Sequence, residues 1–344
     1  MGRRWKESLG RVSSDRLILM SATLAEGAFI WDAHAGFELR CINDLKILQT
    51  WKNAGINFVS INVGYDVNEW HKTIENLSYA RDWVSKTKGY RLAGTVKEID
   101  EAVADADMAV AFDIEGAKAL NDSIEMVRIY YDLGVRQMLF AYNINNAAGG
   151  GCHDEDSGLT AFGRSVVSEM NDVGMMVDCS HCGYRTTLEI MENSRDPVVF
   201  SHSNARKLWD HERNICDEQA IRCANTGGVV GVNGISQFTG DREVKISSMV
   251  AHIEYYLTLI GDEHVGIGLD YFQQSDAGSG FEETVSGNTS YWPKHQYQSE
   301  GLRCVDPPQI IKIGEELLRR NYQETTVGKI LGGNFRRVAE QVWK

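Results

Sequence analysis

Short runs of apolar residues recur along the chain, and each gives way to a longer stretch in which apolar residues return every three or four positions. The runs are Phe29–Ala35, Ile56–Gly64, Met108–Gly116, Arg136–Asn143, Gly174–His181, Pro197–Ser203, Gly227–Gly234 and His264–Tyr271. Their length and their Val, Ile, Phe and Met content predict eight buried strands. The segments between them, such as INDLKILQTWKNAG, GRSVVSEMNDVG and SSMVAHIEYYLTLIGD, have helical periodicity, and several end at a glycine suited to a helix C-terminus. Eight strand-helix units over roughly 250–350 residues predict an α/β fold of the (β/α)8 TIM-barrel type and not an open doubly wound sheet. No GxGxxG or GxxxxGK[ST] follows the first strand, which removes the main dinucleotide and nucleotide-triphosphate readings.

The pattern predicts one barrel domain over residues 1–344, with an N-terminal extension before about residue 28. Two Gly/Ser-rich stretches exceed normal barrel connections. One is NINNAAGGGCHDEDSG after the fourth strand, and the other a long loop over about residues 272–306 after the eighth. Both follow strand C-terminal ends and are expected to overhang the active-site face.

Composition narrows the function. The chain has 344 residues, 43% of them hydrophobic, enough for a large core without staples. Its net charge of −13 argues against nucleic acid or an anionic membrane as the partner. The beginning, MGRRWKESLGRVSSDRLILMSATLAEG, lacks a signal peptide's continuous apolar core, and no window reaches a membrane span. A soluble, cytoplasmic protein is expected. Seven cysteines at irregular spacing do not form a disulfide framework. The lone CSHC, Cys179 to Cys182, sits at a strand's end and not at a helix start, so two buried thiols are expected there.

In a barrel, residues at the C-terminal ends of strands share one cavity. Those ends supply His34, Glu115, Tyr142, His181, His202 and Asp270. Singly, each has an ordinary structural reading, the histidines as hydrogen-bonded core residues and Glu115 as a paired acid. Together they are imidazoles and carboxylates converging from different strands, the set that holds zinc and lowers the pKa of its water to near 7. CHDED, Cys152 to Asp156, reads as a solvated acidic loop, and His71, His211, His252, His264 and His295 show no partner at ligand spacing. No G-x-S-x-G is present, which weakens a Ser-His-Asp mechanism.

The stretches DAHAG, DIEGAKAL, GVRQMLFAYN, GLTAFGRSVVSEMNDVGMMVDCSH, PVVFSHSNAR, RNICDE, GGVVGVN, HVGIGLD and ELLRRNYQETTVGKILGGNFRRV follow one another from about Asp32 to the C-terminus. In that order they resemble the membrane (renal) dipeptidase family, zinc dipeptidases among the amidohydrolase-like TIM barrels. The resemblance implies that His34 binds a first zinc, Glu115 bridges two, and His181 and His202 complete the second. It implies Asp270 as holder of the bridging water or general base, Arg213 as partner of a substrate carboxylate, and a homodimer.

Four positions depart from that family's pattern. Gly36 stands where the family usually has a zinc-binding Asp, so either Glu38 or Asp32 replaces it or one zinc is tightly held and a second site only conditionally filled. Tyr142 stands where the family has a histidine that steadies the developing oxyanion, a role open to a phenol. VNGIS lacks the aromatic that often follows the Asn of strand seven, and LDYFQ lacks the second Asp of strand eight. The expected function is zinc-dependent hydrolysis of a dipeptide or dipeptide-like small amide. The alternatives are a non-peptide amide, N-acyl amino acid or lactone as substrate, and a degenerate family member that only binds.

Overall fold

The computed structural model describes residues 27–37, 42–272, 280–297 and 302–344. Nine strands lie among them: β1 Trp31–Ala35, β2 Phe58–Tyr65, β3 Tyr90–Leu92, β4 Met108–Glu115, β5 Val135–Leu139, β6 Met176–Asp178, β7 Val198–Val199, β8 Val230–Val232 and β9 Val265–Ile267. Parallel ladders run β1-β2-β4-β5-β6-β7, and β8 pairs with β9. A parallel bridge between Phe200 and Val230 joins β7 to β8. The Asp270 amide donates to the His34 carbonyl at 3.0 Å, which links the end of β9 back to β1. The ring is therefore a closed (β/α)8 barrel, as the eight runs predict.

β3 is additional. It pairs with Met108 to Val110 of β4, and β5 takes over from Phe112, so the two share one edge of β4. Its three residues are too few to carry a period. They lead into the Val96–Ala104 helix, started by a reciprocal cap in which Thr95 Oγ1 accepts from the Glu98 amide and the Glu98 carboxylate accepts from the Thr95 amide. A helix over Gly280–Gly287 also interrupts the stretch expected to be irregular after the eighth strand. Among the described residues no helix is long and apolar enough to cross a membrane.

The strands divide their residues by period two. Val110, Phe112 and Ile114 of β4 pack outward with the surrounding helices. Ala109 and Ala111 instead pack with Trp31, Ala33, Phe58, Met176 and Val199 within the ring, together with Phe335 and Val338 of the Asn334–Val342 helix. A Cβ at Gly266 would clash with the Phe335 ring, and one at Gly231 would clash first with the Ser201 carbonyl oxygen. The aromatic plug at the bottom of the barrel thus needs glycine at position 266, and the close Ser201 backbone needs it at 231. Cys179 and Cys182 are free, buried thiols, as expected.

Candidate active site

The inward register of β4 continues from Ala109 and Ala111 to Asp113 and Glu115, so two carboxylates arrive at the top of the barrel because the strand is straight. β1 arrives differently. Asp32 pairs with Val59 and Ala35 with Ile61, so Ala33 and His34 together oppose Ser60. This bulge turns His34 inward, off the face that strict alternation would have it share with Asp32. At the ends of β6 and β9, His181 and Asp270 have φ of 64° and 55°. Left-handed backbone at non-glycine residues costs on the order of 1 kcal/mol or more and collects at functional sites.

These devices bring four side chains to one point. His181 Nε2 lies 3.1 Å and His202 Nε2 3.4 Å from Glu115 Oε1, and the two Nε2 atoms are 3.0 Å apart. His34 Nε2 is 3.6 Å from both Glu115 Oε1 and Asp270 Oδ1. The opposite ring nitrogens identify the tautomers. His34 Nδ1 donates to Asp113 Oδ1 at 3.0 Å, and His181 Nδ1 to Asn143 Oδ1 at 2.6 Å. His202 Nδ1 donates to Ser201 Oγ at 2.6 Å, and Ser201 donates onward to Asp178 Oδ2 at 2.5 Å. At His181 and His202 each Nε2 is therefore a lone pair, and the His34 Nε2 faces the same carboxylate oxygen. His34 Nε2 and Glu115 Oε1 are buried without a hydrogen-bond partner among the described residues.

Such a cluster repels itself unless a cation sits within it. Burial, reinforced by the Arg213 charge, pushes the His181 and His202 pKa values well down, which keeps their lone pairs free. Burial also raises Glu115 to about 8, with Asp270 and Asp113 adding to it against the pull of His34 and Arg213. At His34 burial disfavours the charge, but the carboxylates of Asp113, Glu115 and Asp270 outweigh it and push the pKa well up. Without a metal the proton of the cluster resides on this side. Four ligands about 2.05 Å from a tetrahedral zinc lie about 3.3 Å from one another. The 3.0, 3.1 and 3.4 Å separations among His181, His202 and Glu115 match that spacing, so the donor set fits zinc with a fourth position open.

Above the cluster is a cavity of about 450 Å³, in the range that takes a small molecule. Glu115, His181, Asp270 and Tyr142 line its polar floor, and Phe238, Phe272, Trp292 and Tyr297 its walls. Tyr142 stacks on His181 with ring centroids 4.1 Å apart. Burial first, then the nearby Glu115 carboxylate, raises its pKa well above 10, so it is a neutral phenol that can donate. Arg213 is not in the cavity wall. It lies behind His202, donating through Nη2 to that residue's carbonyl at 3.3 Å, with its guanidinium 5.3 Å from the centre of the Phe238 ring. It is 3% exposed and has no ion pair among the described residues.

Asp32 does not replace a missing ligand. It accepts from Trp51 Nε1 at 2.8 Å and the Leu269 amide at 2.9 Å, bracing β1 against the neighbouring helix and β9. Glu38 lies outside the described residues.

The model of the membrane dipeptidase family (peptidase family M19) matches residues 48–287, more than half of the chain. The chain belongs to this family. A curated relative, an uncharacterized dipeptidase of Schizosaccharomyces pombe, is 37% identical over 186 residues, covering 50% of this chain and 44% of its own length. Rat dipeptidase 3 is 31% identical over 245 residues, covering 68% of this chain and 45% of its own. The chain thus spans less than half the length of either relative. The amidohydrolase of Pseudomonas aeruginosa superposes with a TM-score of 0.86 at 26% identity, over 94% of this chain and 99% of that one.

Reading an M19 chain by its strand ends misses the residues that aim the clustered side chains. Asp113 is itself held by Ser60 Oγ at 2.7 Å and Asn62 Nδ2 at 3.2 Å, and Asn233 Nδ2 holds Asp270 Oδ2 at 2.8 Å. Their one signal in the sequence is a polar residue inside an apolar strand, two positions before Glu115 in DIE and directly before His202 in SH.

Proposed function

We propose that this chain is a zinc-dependent amidohydrolase that cleaves the amide bond of a dipeptide or dipeptide-like small molecule. One observation carries the reading: three imidazoles, two of them with free lone pairs, and the Glu115 carboxylate converge on one point beneath a cavity of small-molecule size. Glu115, His181 and His202 hold the zinc. Bound there, it would supply Lewis acidity for a scissile carbonyl and make water a nucleophile near neutral pH.

The chain's own groups do the rest. Asp270 Oδ1 takes a proton and returns it to the leaving amine, while Asn233 holds Oδ2 and so keeps Oδ1 turned to the cavity floor. The Tyr142 hydroxyl donates to the oxygen on which charge develops. Arg213, a buried guanidinium without a carboxylate partner among the described residues, attracts a substrate carboxylate from behind the cavity wall. The aromatic walls and the stacked Tyr142 favour a second reading in which the same chemistry acts on an N-acyl amino acid or another non-peptide amide.

The test is zinc content per chain together with rates on a panel of dipeptides, N-acyl amino acids and lactones. Zinc-dependent turnover of dipeptides supports the main reading, and turnover confined to the other substrates supports the second. A protein that binds no zinc when it is supplied refutes both.

A further inference from the structure

The wall of the cavity is tied to His181 by hydrogen bonds that run through three separate connections of the barrel. Asn143, after β5, is fully buried with φ of 64°, a left-handed backbone that asparagine tolerates. Its Oδ1 accepts from His181 Nδ1 at 2.6 Å. Its amide nitrogen has two hydrogens to place, and both go to the segment after β9: one to the Tyr291 carbonyl at 3.0 Å, the other to the Tyr297 hydroxyl oxygen. Tyr297 lines the cavity, and its own O–H donates to His153 Nε2 at 3.0 Å. His153 Nδ1 in turn donates to Oε2 of Glu212, after β7, at 2.6 Å.

His153 belongs to the CHDED stretch, which reads as a solvated loop in the sequence, yet its side chain is fully buried. Burial, then the Arg213 charge, lowers its pKa to about 3, so the contact with Glu212 is a hydrogen bond to a neutral ring and not an ion pair. A neutral ring whose Nδ1 hydrogen faces a carboxylate has only a lone pair at Nε2, so the Tyr297 hydrogen points to it. With that hydrogen committed, the Tyr297 oxygen accepts from Asn143. The Asn143 amide then cannot flip without setting its NH2 against the His181 Nδ1–H and its oxygen against the Tyr291 carbonyl. The direction of every bond is thus set from the Glu212 end.

We infer that Tyr297, His153 and Glu212 are positioning residues: acting through Asn143, they hold the His181 imidazole with Nε2 toward the cluster, which couples the seating of the wall after β9 to the metal affinity of His181. The inference rests on the reading of His181 as a zinc ligand. It gives Tyr297 two parts, the ring as cavity wall and the hydroxyl as a link in the chain.

The test measures zinc affinity of the full chain by competition with a chromophoric chelator, beside thermal unfolding of the metal-free chain. Tyr297→Phe keeps the ring and removes the oxygen, and should weaken zinc binding about tenfold, the lower end of what loss of an outer partner of a ligand histidine costs. Glu212→Ala should weaken it as well, while Glu212→Gln, which loses the same charge but keeps an acceptor for His153, should bind zinc nearly as wild type does. The double variant Tyr297→Phe, Glu212→Ala should be no weaker than Tyr297→Phe alone, because both changes cut one chain. Additive losses in the double variant, equal losses for the two Glu212 variants, or unchanged zinc affinity in Tyr297→Phe with only the unfolding temperature lowered each overturn the inference and leave the zinc-hydrolase reading standing. A wild-type chain that binds no zinc removes both.

Discussion

Replacing Ser201 by alanine deletes one oxygen that joins two buried partners, His202 and Asp178, and also lies 3.2 Å from Ser180 Oγ. Ser201 is fully buried, and its Oγ accepts from His202 Nδ1 at 2.6 Å while donating to Asp178 Oδ2 at 2.5 Å. Asp178 tolerates the loss, because the Ser180 and Ser201 amides and Gln137 Nε2 still donate to it at 2.9, 3.1 and 3.2 Å. His202 does not, because its Nδ1–H is left in the interior with no acceptor. A buried polar group so stranded costs about 1–3 kcal/mol. Part of that falls on stability. The rest falls on the metal, since the imidazole is free to rotate or to change tautomer, and loss of such a partner weakens metal binding about 10–100-fold. The assay is zinc affinity by chelator competition, beside thermal unfolding of the metal-free chain. Zinc affinity within about twofold of wild type, with only the unfolding temperature lowered, would refute the claim that this hydroxyl aims His202.

His252 gives a pH prediction away from the metal. Its Nδ1 accepts from the Ala205 amide at 3.1 Å and Nε2 donates to the Thr239 carbonyl at 3.3 Å, and burial lowers its pKa from 6.5 to about 4. The unfolded chain protonates first, so this stabilisation is complete above pH 6.5 and is lost as pH falls toward 4, by up to about 3 kcal/mol. The difference in unfolding free energy between wild type and His252→Gln should shrink over that range, and a flat difference would contradict it. Tyr142→Phe should lower kcat about 100-fold with KM little changed if the hydroxyl meets the developing oxyanion; a change in KM alone would assign it to binding. Removing metal with chelator should lower the unfolding temperature, because ligands that repel one another then lose the ion between them. Restoring zinc should reverse the shift, and an unfolding curve insensitive to both would argue against a metal in the native fold.

Much of this architecture was legible because parallel strands covered on both faces read as nearly continuous apolar runs, and a polar residue that closes such a run stands out. His34, Glu115, Tyr142, His181, His202 and Asp270 were all visible in that way, and the barrel rule alone sends strand ends to a common cavity. β3 was not visible, since Tyr90–Leu92 is too short to express a period and exists only because the lower edge of β4 is open to it. Alternation also misassigns β1: it sets His34 on the face of Asp32, and only the bulge against Ser60 separates the imidazole that joins the cluster from a structural brace.

The order of apolar runs and helical segments thus determined the barrel, and the residue types at the run ends determined that a metal chemistry was available. Only the tertiary structure decided which nitrogen of each histidine is free, that Asp113 and the Ser201–Asp178 pair aim two of them, that Arg213 stands behind the wall, and that Asp270 fills the space beside Gly36. The reason is one of range. Hydrophobic periodicity is a local property, written within ten or fifteen residues. The His34–Asp113 hydrogen bond and the Gly36–Asp270 approach join residues 79 and 234 positions apart, and each depends on strand register and on the absence of one carbon atom, which no local pattern records.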